Sequence, residues 1–389
     1  ILRQSAAFRS EQRLPALTWS SGKDGASLWR ASQPKVGLQG NRNAGDEFYL
    51  RHIMETAANS NSICLERMET PTPEMLQKLT GQPEGFTKEP GVQMKIMDMR
   101  PRASAMANRT QGYGYENTSH YPGTTLQFCN IGNIHAVRDS YQKISNLCNN
   151  PNVSDTSWLS LVEDTKWLGH IRLILAASWE AAFWVHVHRL PVLLHCSHGW
   201  DRTSQVAALA QLLLDPYYRT IEGFTCLLEK DFLSFGHPFH TRCGHGEGRG
   251  AEQGSTDEGQ MSQIFMQFLD CVWQLVNLFP ERFEFNAMYL LVFSEHVYSC
   301  RFGNLLCDTE RERDLVAGIK QRTHCVWEFL ESRVDCRNSN FQPSNGVMLM
   351  PLPMLMRSVT LWVDRHCMYG PKVSNRKTVP AGTVVPGKE

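Results

Sequence analysis

The sequence predicts an α/β fold in which helices flank a central mixed sheet. One observation is the short continuous apolar run at residues 190–194, which is typical of a strand buried on both faces. A second is the order of elements around it, because a long apolar helical region precedes the run and a helix-like stretch follows at 204–214. Between strand and helix lie Cys196, Gly199 and Arg202, an arrangement typical of a phosphate-binding loop.

The remaining elements follow from hydrophobic periodicity and from Gly and Pro breakers. Residues 1–60 mix β-like runs, at 14–19 and 32–34, with loops and a helix at 47–58. Further strands are predicted at 93–97 and 125–131. Further helices are predicted at residues 136–148, 157–188, 264–278 and 285–298.

Composition marks less regular parts of the chain. A Pro-rich insertion at 66–91 holds one short helix at 74–79. Residues 246–260 are predicted to be a flexible loop and residues 369–389 a disordered tail.

Charge and hydropathy favour a cytoplasmic enzyme with no signal peptide. Lys+Arg and Asp+Glu both number 39, so the net charge of +0 argues against a nucleic-acid partner. The most apolar stretch, 167–187, contains His170, Arg172, Glu180 and His186, so we expect a buried helix rather than a membrane span.

The 12 cysteines form no Cys-x-x-Cys pair, which favours reduced thiols over a disulfide framework. A zinc site from His237, His240, Cys243 and His245 is an alternative, but these residues lack finger-like spacing. We therefore expect no metal and no cofactor.

Cys-x5-Arg spacing alone does not identify a phosphate loop in this chain. It occurs at Cys196, at Cys243 and at Cys307. Cys307 is followed by acidic residues, and Cys243 has no apolar strand before it. Only Cys196 combines a strand, a glycine and a helix, which together predict the loop.

The chemistry of such a loop assigns a role to each residue. The helix N-terminus favours phosphate and lowers the pKa of the Cys196 thiol, whose thiolate attacks phosphorus. Arg202 donates two parallel hydrogen bonds to phosphoryl oxygens, and Gly199 allows close backbone approach. Thr203 places a hydroxyl on the thiolate, and Asp201 is the candidate general acid.

Residues 195–203, His-Cys-Ser-His-Gly-Trp-Asp-Arg-Thr, resemble the loop of the myotubularin family of phosphoinositide phosphatases. That loop reads His-Cys-Ser-Asp-Gly-Trp-Asp-Arg-Thr and differs from this chain only at His198. The likeness spans roughly residues 8–365. It is clearest at residues 32–34, 98–101, 114–116, 133–135, 213–220, 235–237, 242–246, 267–270, 283–286 and 298–300.

The resemblance implies a phosphatase that removes the 3-phosphate of phosphatidylinositol 3-phosphate and of the 3,5-bisphosphate. It implies that Cys196 is the nucleophile, Arg202 the phosphate clamp and Asp201 the acid. The substrate-binding residues that it implies are Asn108, Asn133, Ile134, Ser197, His198, Gly199, Trp200 and Arg242.

The resemblance also implies partners, location and domains. The partners are a phosphoinositide headgroup on a membrane surface and, as an open alternative, other myotubularin-like chains in a homo- or hetero-oligomer. The implied location is the cytoplasmic face of endosomal-type membranes. Residues 1–30 would be the end of a PH-GRAM-like region or a linker, and residues 31–368 the myotubularin-like phosphatase domain.

Two residues depart from the family pattern. His198 replaces an aspartate, and a partly protonated imidazole there makes the loop more positive. Pro238 replaces a basic residue near the 5-phosphate, so selection for the bisphosphate weakens. His198 keeps a second hypothesis open, a catalytically impaired scaffold or lipid-binding partner. A protein tyrosine phosphatase is a third, although no Trp-Pro-Asp loop is present.

Overall fold

A five-stranded sheet lies at the centre of the part of the chain that the structure describes. The structure is a computed structural model, and it describes residues 1–64, 72–81, 86–245, 258–316, 318–343 and 346–368. The strands are β1 (Ala16–Ser20), β2 (Ser27–Ser32), β3 (Met94–Asp98), β4 (Thr124–Phe128) and β5 (Pro191–Cys196). Their order in the sheet is β1-β2-β5-β3-β4.

The sheet is mixed, because β1 and β2 pair antiparallel while the other pairs are parallel. Ser32 pairs with Cys196, and Asp98 pairs with His195. The carboxyl ends of β2, β3 and β5 therefore meet at one edge of the sheet, where ligands bind in open α/β folds. The α/β fold with a central mixed sheet is confirmed.

Helices cover the sheet and continue beyond it. In the described residues they are α1 (Leu2–Phe8), α2 (Ala44–Cys64), α3 (Pro73–Thr80), α4 (Arg102–Ala107), α5 (Ile134–Cys148), α6 (Trp158–Asp164), α7 (Trp167–His188), α8 (Arg202–Leu214), α9 (Ile221–Leu228), α10 (Phe239–Cys243), α11 (Ile264–Leu278), α12 (Ala287–His296), α13 (Val326–Glu331), α14 (Leu352–Ser358) and α15 (Val363–His366).

The core is built around α7, α8 and β5. Every residue of β5 and of α8 is buried, and most of α7 is buried as well. The apolar stretch at 167–187 is thus a buried helix, as predicted. No helix among the described residues is long and apolar enough to cross a membrane.

The helical region predicted at 157–188 is two helices rather than one. Lys166 adopts a left-handed φ of 65° between α6 and α7, which breaks the helix. Elsewhere the predicted helices are present with shifted ends, and the bounds predicted for α11 are those observed.

The boundary expected after residue 30 falls inside β2. Residues 16–30 are hydrogen-bonded into the sheet through β1 and β2. The insertion contains α3, whereas residues 66–71 and 82–85 lie outside the described residues. Of the predicted loop only 258–260 is described, as a short 3₁₀ turn, and residues 369–389 lie outside.

Candidate active site

A polar pocket of about 190 Å³ opens at the carboxyl edge of the sheet. The nucleophile predicted from the sequence, Cys196, lies in its wall. Nine of its lining residues are ones that the sequence analysis named, and three are new. The lining consists of Asn133, Ile134, His135, Cys196, Ser197, His198, Trp200, Asp201, Arg202, Arg242, Gln260 and Ile264.

The loop between β5 and α8 depends on Gly199. This residue has a φ of +80°, which favours glycine, and a Cβ there would lie 2.6 Å from the Ala31 carbonyl oxygen. Its amide points at the Cys196 sulfur, 3.3 Å away. Gly199 is thus part of the loop backbone rather than of the pocket lining, and its conformation brings an N–H donor to the nucleophile.

Cys196 is buried, and its surroundings favour the thiolate. Burial works against ionisation, but the Arg202 guanidinium and the hydroxyl and amide of the adjacent Thr203 lower the pKa of the Cys196 thiol below its usual value. Thr203 is fully buried and does not line the pocket. A thiolate with these partners is a nucleophile at the base of an anion-binding loop.

The Arg202 guanidinium is held loosely. Nη1 donates to the Ile131 carbonyl at 3.3 Å and Nη2 donates to the Ser197 hydroxyl at 3.4 Å. Both distances lie beyond the normal N–H···O range. The guanidinium can therefore turn its donors to phosphate oxygens at little cost.

Asp201 is clamped by two partners. The Arg242 guanidinium contacts its Oδ2 at 2.9 Å, and His237 Nδ1 lies 3.1 Å from Oδ1. His237 Nδ1 also lies 3.0 Å from the Trp200 carbonyl oxygen. Although burial opposes ionisation, Arg242 and His237 hold the pKa of the Asp201 carboxyl well below its usual range. In the free protein Asp201 is an ionised carboxylate, which a general acid is not.

His198 occupies the position of the family aspartate at the pocket wall. Its ring stacks in a tilted arrangement on Trp200, with centroids 4.7 Å apart. Burial lowers the pKa of the His198 imidazole below its ordinary value. The lowered pKa of His198 favours the uncharged imidazole, whereas the sequence analysis expected a partly protonated ring that makes the loop more positive.

The two asparagines differ in how they meet the pocket. Asn133 lines it, but its side-chain oxygen caps α5 by accepting the Ala136 amide at 3.1 Å. Asn108 lies beside the loop, with its side-chain amide 3.5 Å from the Ser197 hydroxyl and 3.0 Å from the Gln33 side chain. Asn108 thus stands next to the loop rather than in the lining.

Sequence reasoning missed Arg30, a buried residue of β2 whose guanidinium donates hydrogen bonds to the phosphate loop and to the start of α8. Its Nη2 donates to the Gly199 carbonyl and to the Ser204 hydroxyl, both at 2.7 Å. Its Nη1 pairs with Asp231 at 2.8 Å. An arginine inside an apolar strand was the available signal, since a buried guanidinium needs a partner.

A second buried network fixes the residue that precedes the nucleophile. His195 Nε2 lies 2.9 Å from Glu116, which also pairs with Arg9 at 2.5 Å. Arg9 in turn pairs with Asp46 at 2.7 Å. The contact with Glu116 raises the pKa of His195 despite its burial. The end of β5 is thus tied to α1 and α2.

The competing pattern at Cys307 and Arg313, both in described parts of the chain, forms no comparable site. Burial and Glu312 raise the pKa of Cys307, and Arg313 donates to the Cys307 backbone carbonyl rather than facing a loop. The residue that would complete the pattern at Cys243 lies outside the described ranges. Within those ranges no three His, Cys, Asp or Glu side chains are grouped to hold a metal ion.

Comparison with known proteins identifies the family. A family model described as a myotubularin-like phosphatase domain matches residues 1–314. The chain is 37% identical to a protein named myotubularin from Xenopus laevis over 97% of this chain and 56% of that protein. It is 38% identical to phosphatidylinositol-3,5-bisphosphate 3-phosphatase MTMR2 from Bos taurus over 97% of this chain and 53% of that protein. The chain spans about half the length of these curated relatives. With its strand, phosphate loop and helix, the chain belongs to the myotubularin-like phosphatase family.

Proposed function

We propose that this chain hydrolyses the 3-phosphate of phosphatidylinositol 3-phosphate, and also that of the 3,5-bisphosphate, through a cysteinyl-phosphate intermediate. The observation that carries the proposal is the Cys196 sulfur in the wall of a polar pocket, with a lowered pKa and a backbone N–H at 3.3 Å. The proposed setting is the cytoplasmic face of endosomal-type membranes, with assembly into oligomers of this or related chains.

In the first half-reaction the Cys196 thiolate attacks phosphorus, and the bond from phosphorus to the inositol oxygen breaks. Loop N–H groups and Arg202 stabilise the charge on the phosphoryl oxygens. The departing oxygen takes a proton. Asp201 can supply this proton only if Arg242 first turns from the carboxylate to the substrate. Among the groups that lower the pKa of Asp201, Arg242 has the largest effect.

In the second half-reaction the ionised form of Asp201 is the useful one. The carboxylate takes a proton from water while the water oxygen attacks phosphorus. The sulfur–phosphorus bond breaks, the Cys196 thiolate returns, and inorganic phosphate leaves. The free protein already holds Asp201 in the form that this step requires.

The headgroup preference follows from the basic residues at the pocket. Arg242 is already paired with Asp201 at 2.9 Å. Pro238 begins the turn into α10 and carries no charge. To bind a 5-phosphate, Arg242 would have to break its ion pair with Asp201, and no second basic residue stands at position 238. The pocket therefore favours the monophosphate over the bisphosphate.

Phosphate release from short-chain, soluble phosphatidylinositol 3-phosphate tests the proposal. We expect turnover by the wild-type protein and none by Cys196→Ser, in which the hydroxyl replaces the thiolate. The 3,5-bisphosphate is the parallel substrate, and phosphatidylinositol 4-phosphate is the control headgroup. Equal rates for the two proteins would refute the proposal.

A lipid-binding scaffold without turnover is the second candidate function, and His198 is the observation that favours it. The imidazole of His198 stands where the family has a carboxylate that could orient water or an inositol hydroxyl. Headgroup binding by both the wild-type protein and Cys196→Ser, with no phosphate release from either, would identify the scaffold. Activity in His198→Asp alone would locate the defect at this position.

A further inference from the structure

Two exposed apolar side chains stand on segments beside the phosphate loop. Leu38 is 70% exposed and Met106, on α4, is 49% exposed. We call residues 35–42 and 102–109 together the docking face. Single exposed apolar side chains are common, so the case for an interaction surface depends on how these two segments are joined and charged.

The two segments are fastened to each other. Arg109 donates from Nε to the Gly37 carbonyl at 3.0 Å and from Nη2 to the Leu38 carbonyl at 3.4 Å. The Gly37 amide donates to the Tyr113 carbonyl at 3.0 Å. Leu38 is therefore held by the 3₁₀ turn that directly follows α4, the helix that carries Met106.

The docking face also adjoins the pocket. Asn108 follows α4 directly, and its side-chain amide lies 3.5 Å from the Ser197 hydroxyl. Ser197 lines the pocket next to Cys196. Whatever covers the docking face is therefore adjacent to the candidate nucleophile.

The docking face is basic in a chain of zero net charge. Residues 33–43 and 99–115 contain no aspartate or glutamate. Lys35 donates to the Ala7 carbonyl and Arg109 to backbone carbonyls, so neither charge is neutralised by these contacts. Arg102 is exposed, whereas Arg42 is paired with Glu47 at 2.8 Å. Apolar tips among unneutralised cations complement an anionic lipid surface.

We propose that the docking face rests on an anionic membrane surface, with Leu38 and Met106 inserted among the lipids and Lys35, Arg102 and Arg109 at the lipid phosphates. This inference builds on the proposed function, because it presents the pocket to a headgroup that is still in its bilayer. Membrane binding of this kind combines apolar burial with electrostatic attraction, and it weakens as salt rises.

Co-sedimentation of the full chain with vesicles of phosphatidylcholine and phosphatidylserine, without phosphoinositide, tests the docking face. The double variant Leu38→Ser/Met106→Ser should bind the vesicles at least about tenfold more weakly than the wild type, given the apolar area that it removes. Leu159→Ser is the matched control, because Leu159 is 77% exposed but lies on α6. Arg102→Glu should weaken binding by about tenfold through a change of two charges.

Kinetics supply the second measurement. The ratio of activity on vesicle-borne to soluble short-chain substrate should fall in the double variant and stay constant in Leu159→Ser. Equal vesicle binding by the wild type and the double variant would overturn the inference. So would equal binding of the wild type to pure phosphatidylcholine vesicles. Vesicle binding needs no turnover, so a wild type that releases no phosphate from soluble substrate would overturn the proposed function alone.

Discussion

Substitutions of His237 can distinguish its two roles, which are to hold the Asp201 carboxylate and to fill an aromatic site in the core. His237 is fully buried, and its Nδ1 lies 3.1 Å from Asp201 Oδ1. Its ring packs against those of Phe232 and Phe239, with centroids 5.5 and 4.8 Å away, and its Nε2 has no hydrogen-bond partner among the described residues. His237→Phe keeps an aromatic ring in this apolar site but removes the donor. His237→Asn keeps a donor near Nδ1 but loses packing.

The magnitude follows from the kind of contact that is lost. A hydrogen bond to a buried charged group contributes about 1.5–3 kcal/mol. If that contact holds the carboxylate ready for proton transfer, its loss lowers kcat by about 10- to 150-fold. We therefore expect kcat to fall in His237→Phe and to recover at least partly in His237→Asn, with KM changing little in both. The melting temperature should be lower in His237→Asn than in His237→Phe, because only the asparagine leaves a void in the core.

Steady-state phosphate release from soluble phosphatidylinositol 3-phosphate, together with thermal unfolding of each variant, supplies both readouts. His237→Gln is the matched control, because its amide lies nearer the position of Nε2 than that of Nδ1. Wild-type kcat in His237→Phe would refute the reasoning. So would equal kcat values in His237→Asn and His237→Gln, since a donor at Nδ1 would then have no special effect.

Three further predictions concern the loop and its ion pair. Gly199→Ala places an alanine in the left-handed backbone region and its Cβ 2.6 Å from the backbone of β2. We therefore expect a lower melting temperature and a loss of kcat/KM of about 100-fold. Unchanged values would show that the loop relaxes freely. Arg202→Ala removes the guanidinium that lowers the pKa of Cys196, so the pH midpoint of Cys196 alkylation by iodoacetamide should rise, and an unchanged midpoint would exclude this role. The folded-state pKa of Asp201 lies below its ordinary 3.8, so the stability it gains from Arg242 is fully present above that value and is lost as the pH falls through the folded-state pKa. Urea unfolding of wild type and Arg242→Gln should accordingly give a difference that is full at neutral pH and shrinks in acid, and a pH-independent difference would contradict the assigned ion pair.

Local sequence was sufficient for the strand, loop and helix around Cys196. A continuous apolar run, a glycine and a second apolar run follow one another, so neighbouring residues carry the signal. The bounds of α11 followed from periodicity in the same way. The resemblance, not periodicity, brought Asn133 and Arg242 to the site.

Local sequence could not show β2 as a whole or the partners of Asp201. Arg30 interrupts the apolar pattern of β2, and its partner Asp231 is 201 residues away. His237 reaches Asp201 because it lies in a turn that follows a six-residue π-helix, Glu229–Ser234. The spacing of apolar residues in the sequence does not predict a π-helix. The low pKa of Asp201 is likewise a property of the assembled pocket and of no single segment.

The two buried networks behind the loop make the reactivity of the thiol a late product of folding. Arg9 meets Glu116 across 107 positions, and Arg30 meets the Gly199 carbonyl across 169. Each pair forms only after its later segment has been synthesised and the sheet has assembled, because contacts so distant in sequence carry a loop-closure cost. Until then Cys196 is an ordinary thiol, poorly reactive at neutral pH. Its alkylation at neutral pH would therefore report, molecule by molecule, which chains have completed their native sheet.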